Sequence, residues 1–270
     1  MATPIGNLRD ITLRALDVLA AADLVLAEDT RVAARLLSAY GLAKRLERYD
    51  EHAAARARPV ALAALAGGAR VALVPDAGTP LVSDPGYRLV REAIAAGAPV
   101  FAVPGPSAAL AALAVAGLPT DRFLFAGFPP PRSAARRAFL EGLKSVRATL
   151  VLFEGVSRLG ASLADMAAVL GPRPAAVARE LTKLHETVVR GDLVALAANP
   201  ALAAPKGEVV VVIGPPAEAA TEPASASEAE AALKEALARL PPAEAAREVA
   251  AATGLARRDL YRRAIALKGG

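Results

Sequence analysis

Side chains able to move a proton or hold a phosphate are sparse in this alanine-rich chain, and they gather in a few places. Glu28-Asp-Thr-Arg31 follows the apolar run Leu24–Ala27, and Glu154 follows Thr149–Phe153. Arg179-Glu-Leu-Thr-Lys183 closes a third run, Lys206-Gly-Glu208 leads into the last, and Tyr49-Asp-Glu-His52 lies in a loop. Carboxylates beside amines or guanidiniums at such positions suit proton transfer and anion contact, and equally suit salt bridges and helix caps. Composition alone does not name the reaction.

Two loops of another kind follow Val74 and Val103: Pro75-Asp-Ala-Gly-Thr-Pro-Leu-Val-Ser-Asp-Pro-Gly86 and Pro104-Gly-Pro-Ser107. Gly78, Thr79, Pro80, Gly105, Pro106 and Ser107 either let a ligand approach the backbone or fix a tight turn. Asp76 is placed to accept hydrogen bonds from hydroxyls or an amine. Ser107 can cap the next helix, whose N-terminus would face the same ligand. The plainer alternative is that glycine and proline merely turn the chain and Asp76 caps one turn.

Other chemistries are excluded by what is missing. With no cysteine, disulfides, thiolate nucleophiles and thiolate-bound metals fall away. The two histidines, His52 and His185, disfavour a histidine metal site, so no metal is expected. No G-x-G-x-x-G follows a strand, and neither a Walker A sequence nor a G-x-S-x-G elbow is present.

The elements that must hold these loops follow from periodicity. Arg70–Val74 and Pro99–Val103 are short apolar runs without helical period and predict buried strands, like Leu24–Ala27. Amphipathic helices are predicted over Ile11–Ala21, Thr30–Tyr40 and Tyr87–Ala96, with a further helix ending at Gly117. Strand–loop–helix repetition means a parallel sheet, in which ligands bind beyond the carboxyl ends of the strands. After the turn at 117–121 a second α/β unit opens with Phe123–Gly127. It places strands at Thr149–Phe153, Ala175–Glu180 and Glu208–Ile213, and helices near Arg136–Lys144, Arg158–Leu170 and Asp192–Ala198.

The 270 residues suffice for this: 54% are hydrophobic, enough for a sizeable core. A net charge of +5 is compatible with a polyanionic partner without proving one. No apolar stretch nears the roughly 18 residues of a membrane span, and no signal-peptide pattern opens the chain, so a cytoplasmic protein is expected. Domains are expected at 1–117 and 118–214, followed by a glutamate-bearing linker at 215–227 and a helical extension at 228–270. In that extension a short helix reaches Leu240, and Ala243–Thr253 and Arg257–Lys268 suggest helix–turn–helix geometry. Arg257, Arg258, Arg262 and Arg263 there are either a solvated face or RNA contacts.

Thr3-Pro-Ile-Gly-Asn-Leu8, Ala27-Glu-Asp-Thr-Arg31, Asp76-Ala-Gly-Thr-Pro80 with Asp84-Pro-Gly86, Pro104-Gly-Pro-Ser107, Ala178-Arg-Glu-Leu-Thr-Lys183 and Lys206-Gly-Glu208 occur here in one order. Together they closely resemble the tetrapyrrole-methylase superfamily, and within it the branch that methylates a cytidine ribose 2′-oxygen of 16S ribosomal RNA at the decoding centre. The resemblance implies a two-domain α/β fold with a small helical extension, and a homodimer working on the 30S subunit. It also implies S-adenosylmethionine in the interdomain cleft, on Pro4, Gly6, Asp76, Ala77, Gly78, Thr79, Gly105, Ser107 and Ala108. The ribose would approach from the side of Arg31, Glu154, Arg179, Lys183, Lys206 and Glu208. Glu154 and Glu208 are then the general-base candidates, with Lys206 tuning the charge. Arg31, Arg179 and Lys183 would contact phosphate, which positions RNA without reading it.

Three departures stand out. Only Met1-Ala2 precede Thr3 where the family has an apolar first strand, so a central strand is expected to be absent from this sequence. Pro75 replaces the usual serine, and His52-Ala53 and Gly155-Val-Ser157 depart from a His-Asn pair and a Ser-x-His. Two further readings stay open: a methylase acting on a tetrapyrrole, and a ribosome-assembly factor that binds RNA without turnover.

Overall fold

In the computed structural model, which describes residues 1–217, 226–253 and 255–268, short apolar runs become strands and the periodic stretches between them become helices. The chain divides into two compact units, Met1–Pro215 and Pro216–Gly270.

The first unit begins with α1 (Leu13–Ala21), β1 (Leu24–Ala27), α2 (Thr30–Ala39), β2 (Leu46–Arg48), α3 (Ala54–Ala66), β3 (Val71–Val74), α4 (Tyr87–Ala95) and α5 (Ala108–Ala116). Thr12, Asp29 and Ser107 cap α1, α2 and α5 through side-chain oxygens, satisfying first-turn N–H groups. Gly117 ends α5 in the left-handed conformation (φ 74°), which costs a residue without Cβ nothing. The three strands form a parallel sheet in the order β2-β1-β3. All four residues of β1 are buried, as a central parallel strand requires. Residues of α1 and α2 cover one face of the sheet, and Tyr49, Ala57, Ala61 and Leu89 cover the other.

The expected strand at Pro99–Val103 does not form. An apolar run becomes a strand only with a partner in register. Alongside it lie Met1–Thr3, which divide their bonds: the Met1 amine donates to the Leu73 carbonyl (2.8 Å), Ala2 N–H to Val103 O (3.0 Å), and Thr3 pairs with Gly78. Phe101 is left 80% exposed.

The unit continues with β4 (Phe123–Gly127), α6 (Ser133–Leu143), β5 (Thr149–Gly155), α7 (Leu159–Leu170), β6 (Pro174–Arg179), β7 (Thr187–Asp192), α8 (Leu193–Ala198) and β8 (Glu208–Ile213). They make a five-stranded sheet, β4-β5-β8-β6-β7, parallel only between β4 and β5. Its two faces are covered differently. Leu150, Leu152, Val177, Val211 and Ile213 pack on the α6–α8 layer. Val151, Ala176, Ala178, Val210 and Val212 pack on α5, whose small residues Ala109, Ala112 and Ala116 allow close approach. The first half of the chain thus sends its last helix under the second sheet.

One buried ion pair shapes the proline-rich stretch after β4. Arg136, 3% exposed, donates to Asp165 (2.9 Å) and to the Pro131 carbonyl (3.1 Å), and Ser133 also donates to Asp165 (2.9 Å). Both ions are hydrogen-bonded, the condition under which such a pair is tolerated inside.

The second unit holds α9 (Ala226–Leu237), α10 (Pro242–Thr253) and α11 (Arg257–Lys268) around a small core of Ala229, Leu233, Ala245, Ala246, Val249, Leu260 and Ala264. Residues 218–225 of the expected linker lie outside the described residues. No helix among the described residues is long and apolar enough to cross a membrane.

Candidate active site

Three loops at the carboxyl edge of the parallel sheet are stitched to one another. Thr3 and Gly78 exchange backbone hydrogen bonds (2.9 and 3.0 Å), Thr3 Oγ1 donates to Pro75 O (3.3 Å), and Thr79 Oγ1 donates to Pro106 O (3.2 Å). A Cβ on Gly105 would lie 3.1 Å from that of Ala2, so glycine permits the contact. The loops carrying Pro4 and Gly6, Asp76 to Thr79, and Gly105 to Ala108 therefore form one group. Gly6, Asp76, Ala77 and Gly105 stay exposed on it.

The first of these loops also touches the second sheet. Asn7 N–H donates to Thr182 Oγ1 (3.1 Å), and Gly6 faces the Lys183 stem so closely that an added Cβ would meet Lys183 Cγ at 2.5 Å. The Lys183 ammonium then bridges two carboxylates, Glu180 and Glu208, at 2.9 Å each. Burial opposes its charge, but the hydrogen bonds to Glu208 and Glu180 outweigh this and hold its pKa above the usual lysine value. Glu180 also accepts from Glu208 N–H (2.9 Å), and Lys183 lowers its carboxyl. The turn is strained: Glu180 and Thr182 have positive φ (52° and 66°), and Gly207 (φ 99°) passes where any Cβ would overlap the Glu180 carboxyl. Backbone strain of this kind concentrates at functional sites.

Arg179 spends its donors within the same corner, on Thr187 Oγ1 (3.1 Å), Lys206 O (3.1 Å) and His185 O (3.5 Å). The Lys206 and Glu208 side chains are exposed.

Glu154 pairs with Val209, next to Glu208, but lies on the other face of the sheet from Glu208. Strand alternation puts it on the same side of β5 as Leu150 and Leu152, facing the helical layer. There it is 4% exposed and accepts from Gly155 N–H (2.7 Å), Arg158 (2.8 Å) and Ser162 (2.5 Å). Its neighbour Phe153 points the other way, edge-on to Phe125 (4.9 Å) and Phe128 (5.4 Å).

A further acidic group gathers where β1 and β3 end. Asp76 Oδ1 accepts from Asp29 N–H (2.8 Å), so one of its oxygens is already engaged. Burial, then the nearby charge of Asp76, raises the Glu28 carboxyl. Burial, then the charges of Glu28 and Asp76, pushes Asp84 up to about 7. The loop carrying Asp84 holds Leu81 and Ser83 at positive φ (70° and 64°). Asp84 and Glu180 lie within the motifs, but nothing in residue type or spacing singles out the raised carboxyl of the one or the Lys183 and Glu208 contacts of the other. Arg31 folds back onto Asp29 (2.5 Å) while remaining 85% exposed. Arg257, Arg258, Arg262 and Arg263 all lie on exposed positions of α11.

The family model described as Tetrapyrrole (Corrin/Porphyrin) Methylases matches residues 2–197, and that of the RsmI C-terminal HTH domain matches 223–268. Ribosomal RNA small subunit methyltransferase I of Mesorhizobium japonicum is 54% identical over 99% of this chain and 91% of its own. The protein of the same name from Escherichia coli O157:H7 is 43% identical over 99% and 94%. Among solved structures, a diphthine synthase aligns with TM-score 0.62 at 18% identity, over 79% of this chain and 88% of that one. A uroporphyrin-III-C-methyltransferase from Thermus thermophilus aligns with TM-score 0.56 at 26% identity, over 79% and 91%. The chain belongs to the tetrapyrrole methylase family and, within it, to the ribosomal RNA small subunit methyltransferase I group.

Proposed function

We propose that this protein transfers a methyl group from S-adenosylmethionine to a cytidine ribose 2′-oxygen of 16S ribosomal RNA, acting on the 30S subunit. The relatives named for small-subunit ribosomal RNA, matched over nearly the whole chain, support the substrate. The observation that carries the mechanism is the contact of Gly6 with Lys183, which joins the three stitched loops to the Lys183–Glu208 pair.

The loop group suits an adenosine-type cofactor. Gly6, Ala77 and Gly105 expose backbone, Asp76 carries a carboxylate for hydroxyls or an amine, and Ser107 caps α5 beside them. Pro4, Gly78, Thr79 and Ala108 complete that lining. When bound, S-adenosylmethionine supplies a methyl group already activated on a sulfonium, so much of the rate can come from placing the hydroxyl in line.

The ribose hydroxyl is weakly acidic and gains from a base. Glu208 is assigned that part, because it is solvent-accessible and fixed by Lys183. Lys206 adds positive charge two residues away. Glu154, enclosed by Arg158 and Ser162, is assigned to holding the end of β5. Arg31 and the arginines of α11 are assigned to the RNA phosphates, while Lys183, expected from sequence to join them, is engaged by Glu180 and Glu208 and with Arg179 orders the corner that receives them. A cytoplasmic homodimer fits this work.

Transfer of labelled methyl to purified 30S subunits, followed by nucleoside analysis, tests the reading. Label is expected in 2′-O-methylcytidine. Label on an added tetrapyrrole instead, or RNA binding that ignores S-adenosylmethionine, would overturn it.

A further inference from the structure

In the second unit an exposed aromatic ring lies among the arginines assigned to phosphate, and phosphate contact alone does not account for it. Around α11, Arg257, Arg258, Tyr261, Arg262, Ile265 and Lys268 fall on one contiguous exposed face that flanks the buried Leu260 and Ala264. Tyr261 and Ile265 are 43% and 50% exposed among these cations. Ala243, from the first turn of α10, faces Arg257, Arg258 and Tyr261 across an open pocket of about 460 Å³.

Two facts argue that this face is kept for a ligand. Arg257 and Arg258 are cations in the first turn of α11, where they oppose its dipole, and the one acid of that turn, Asp259, is paired with Arg262 (3.1 Å). Among the described residues neither Arg257 nor Arg258 has an ion-pair partner, which leaves both free for an external anion. That partner must also present a flat apolar face to a half-exposed phenol.

We infer that this pocket takes one unstacked nucleotide of single-stranded RNA, its base against Tyr261 and its phosphates on Arg257 and Arg258. The inference rests on the RNA reading above and adds a preference for looped over duplex RNA. Bases inside a duplex have no free face to stack on tyrosine, and side chains cannot read the deep major groove of A-form RNA. The phosphate contacts alone would not discriminate the two forms.

The test uses the full chain with a labelled single-stranded oligoribonucleotide and the same sequence as a duplex, read by fluorescence anisotropy. Tyr261→Ala is expected to weaken single-strand binding about tenfold, the loss of one base–aromatic stack, while leaving duplex binding unchanged. Tyr261→Phe, which keeps the ring, is expected to bind like the parent. Arg257→Ala with Arg258→Ala is expected to flatten the salt dependence by about one to two charges. Equal binding of the single strand by parent and Tyr261→Ala would overturn the pocket, as would equal losses on duplex and single strand. Methyl transfer by the parent to 30S subunits, run in parallel, separates the outcomes. Transfer with no effect of Tyr261 refutes the pocket alone, and a Tyr261 effect without transfer refutes the ribosomal reading alone.

Discussion

The two sheets of the first unit divide its labour. Strands of the parallel sheet are three or four residues long, and the connections leaving them carry Glu28, Asp76, Asp84 and backbone at positive φ. Those of the mixed sheet run five to seven residues, and its three central strands β5, β8 and β6 are packed on both faces by buried leucine, valine and alanine. Burial on that scale gives rigidity; loops with open backbone and crowded carboxylates give chemistry at some cost in stability. The two meet where Gly6 lies against Lys183, and the reacting groups are proposed to gather there.

Truncation in the mixed sheet's core should show the scaffold role most strongly. Leu163→Ala removes a side chain with no exposure and is expected to lower the unfolding free energy by about 2–5 kcal/mol, read from urea melts. Methyl transfer per folded molecule should stay at the parent value.

Gly207→Ala should break the junction instead. The added methyl strains a φ of 99° and displaces Glu180, which holds both Lys183 and the Glu208 backbone. Expected are a stability loss of about 1–3 kcal/mol and a fall in methyl transfer on the order of 100-fold, through misplacement of Glu208. Thermal melts and initial rates measure the two separately.

The smallest effect belongs to the loop acids. Asp84 holds its proton up to about pH 7 in the folded chain, against a usual value of 3.8. Between those two pH values the folded state binds a proton that the unfolded state has released, so this group's contribution to stability falls as pH rises. Asp84→Asn should flatten that slope and raise the melting temperature above pH 7. Because the group is only half-buried, water screens the cost, and the gain should stay under about 1 kcal/mol.

How far the sequence reveals these features depends on whether the cause is local. Glu208–Ile213 and Arg257–Lys268 are legible to the residue, since an unbroken β-branched run and a clear helical period need no partner to be seen. The motif loops are legible as turns from their glycine and proline, and as a set only through the family resemblance, since such residues also recur at strand ends for turning alone. Pro99–Val103 reads as a strand and is none, because pairing is decided by what lies alongside. Thr187–Asp192 is the reverse case, a half-polar run that forms an edge strand only through β6. The helix Ala54–Ala66 is hidden by Pro59 inside it and by an N-cap residue without a side-chain bond. Glu154 shows the same limit within the site. Its alternation with Leu150 and Leu152 is plain in the sequence, but which face meets the stitched loops follows only from α5 covering the other one.

Glu208 at the junction, and not Glu154 within the helical layer, is the residue proposed to take the ribose proton. Single-turnover methyl transfer to 30S subunits, compared between Glu208→Gln and Glu154→Gln, tests this most directly. Glu208→Gln is predicted to lose about 100-fold or more of the rate while melting like the parent. Glu154→Gln is predicted to melt at lower temperature, yet to keep within about threefold of the parent rate where it is folded. Full rate in Glu208→Gln, or loss of rate in a normally folded Glu154→Gln, would contradict the assignment.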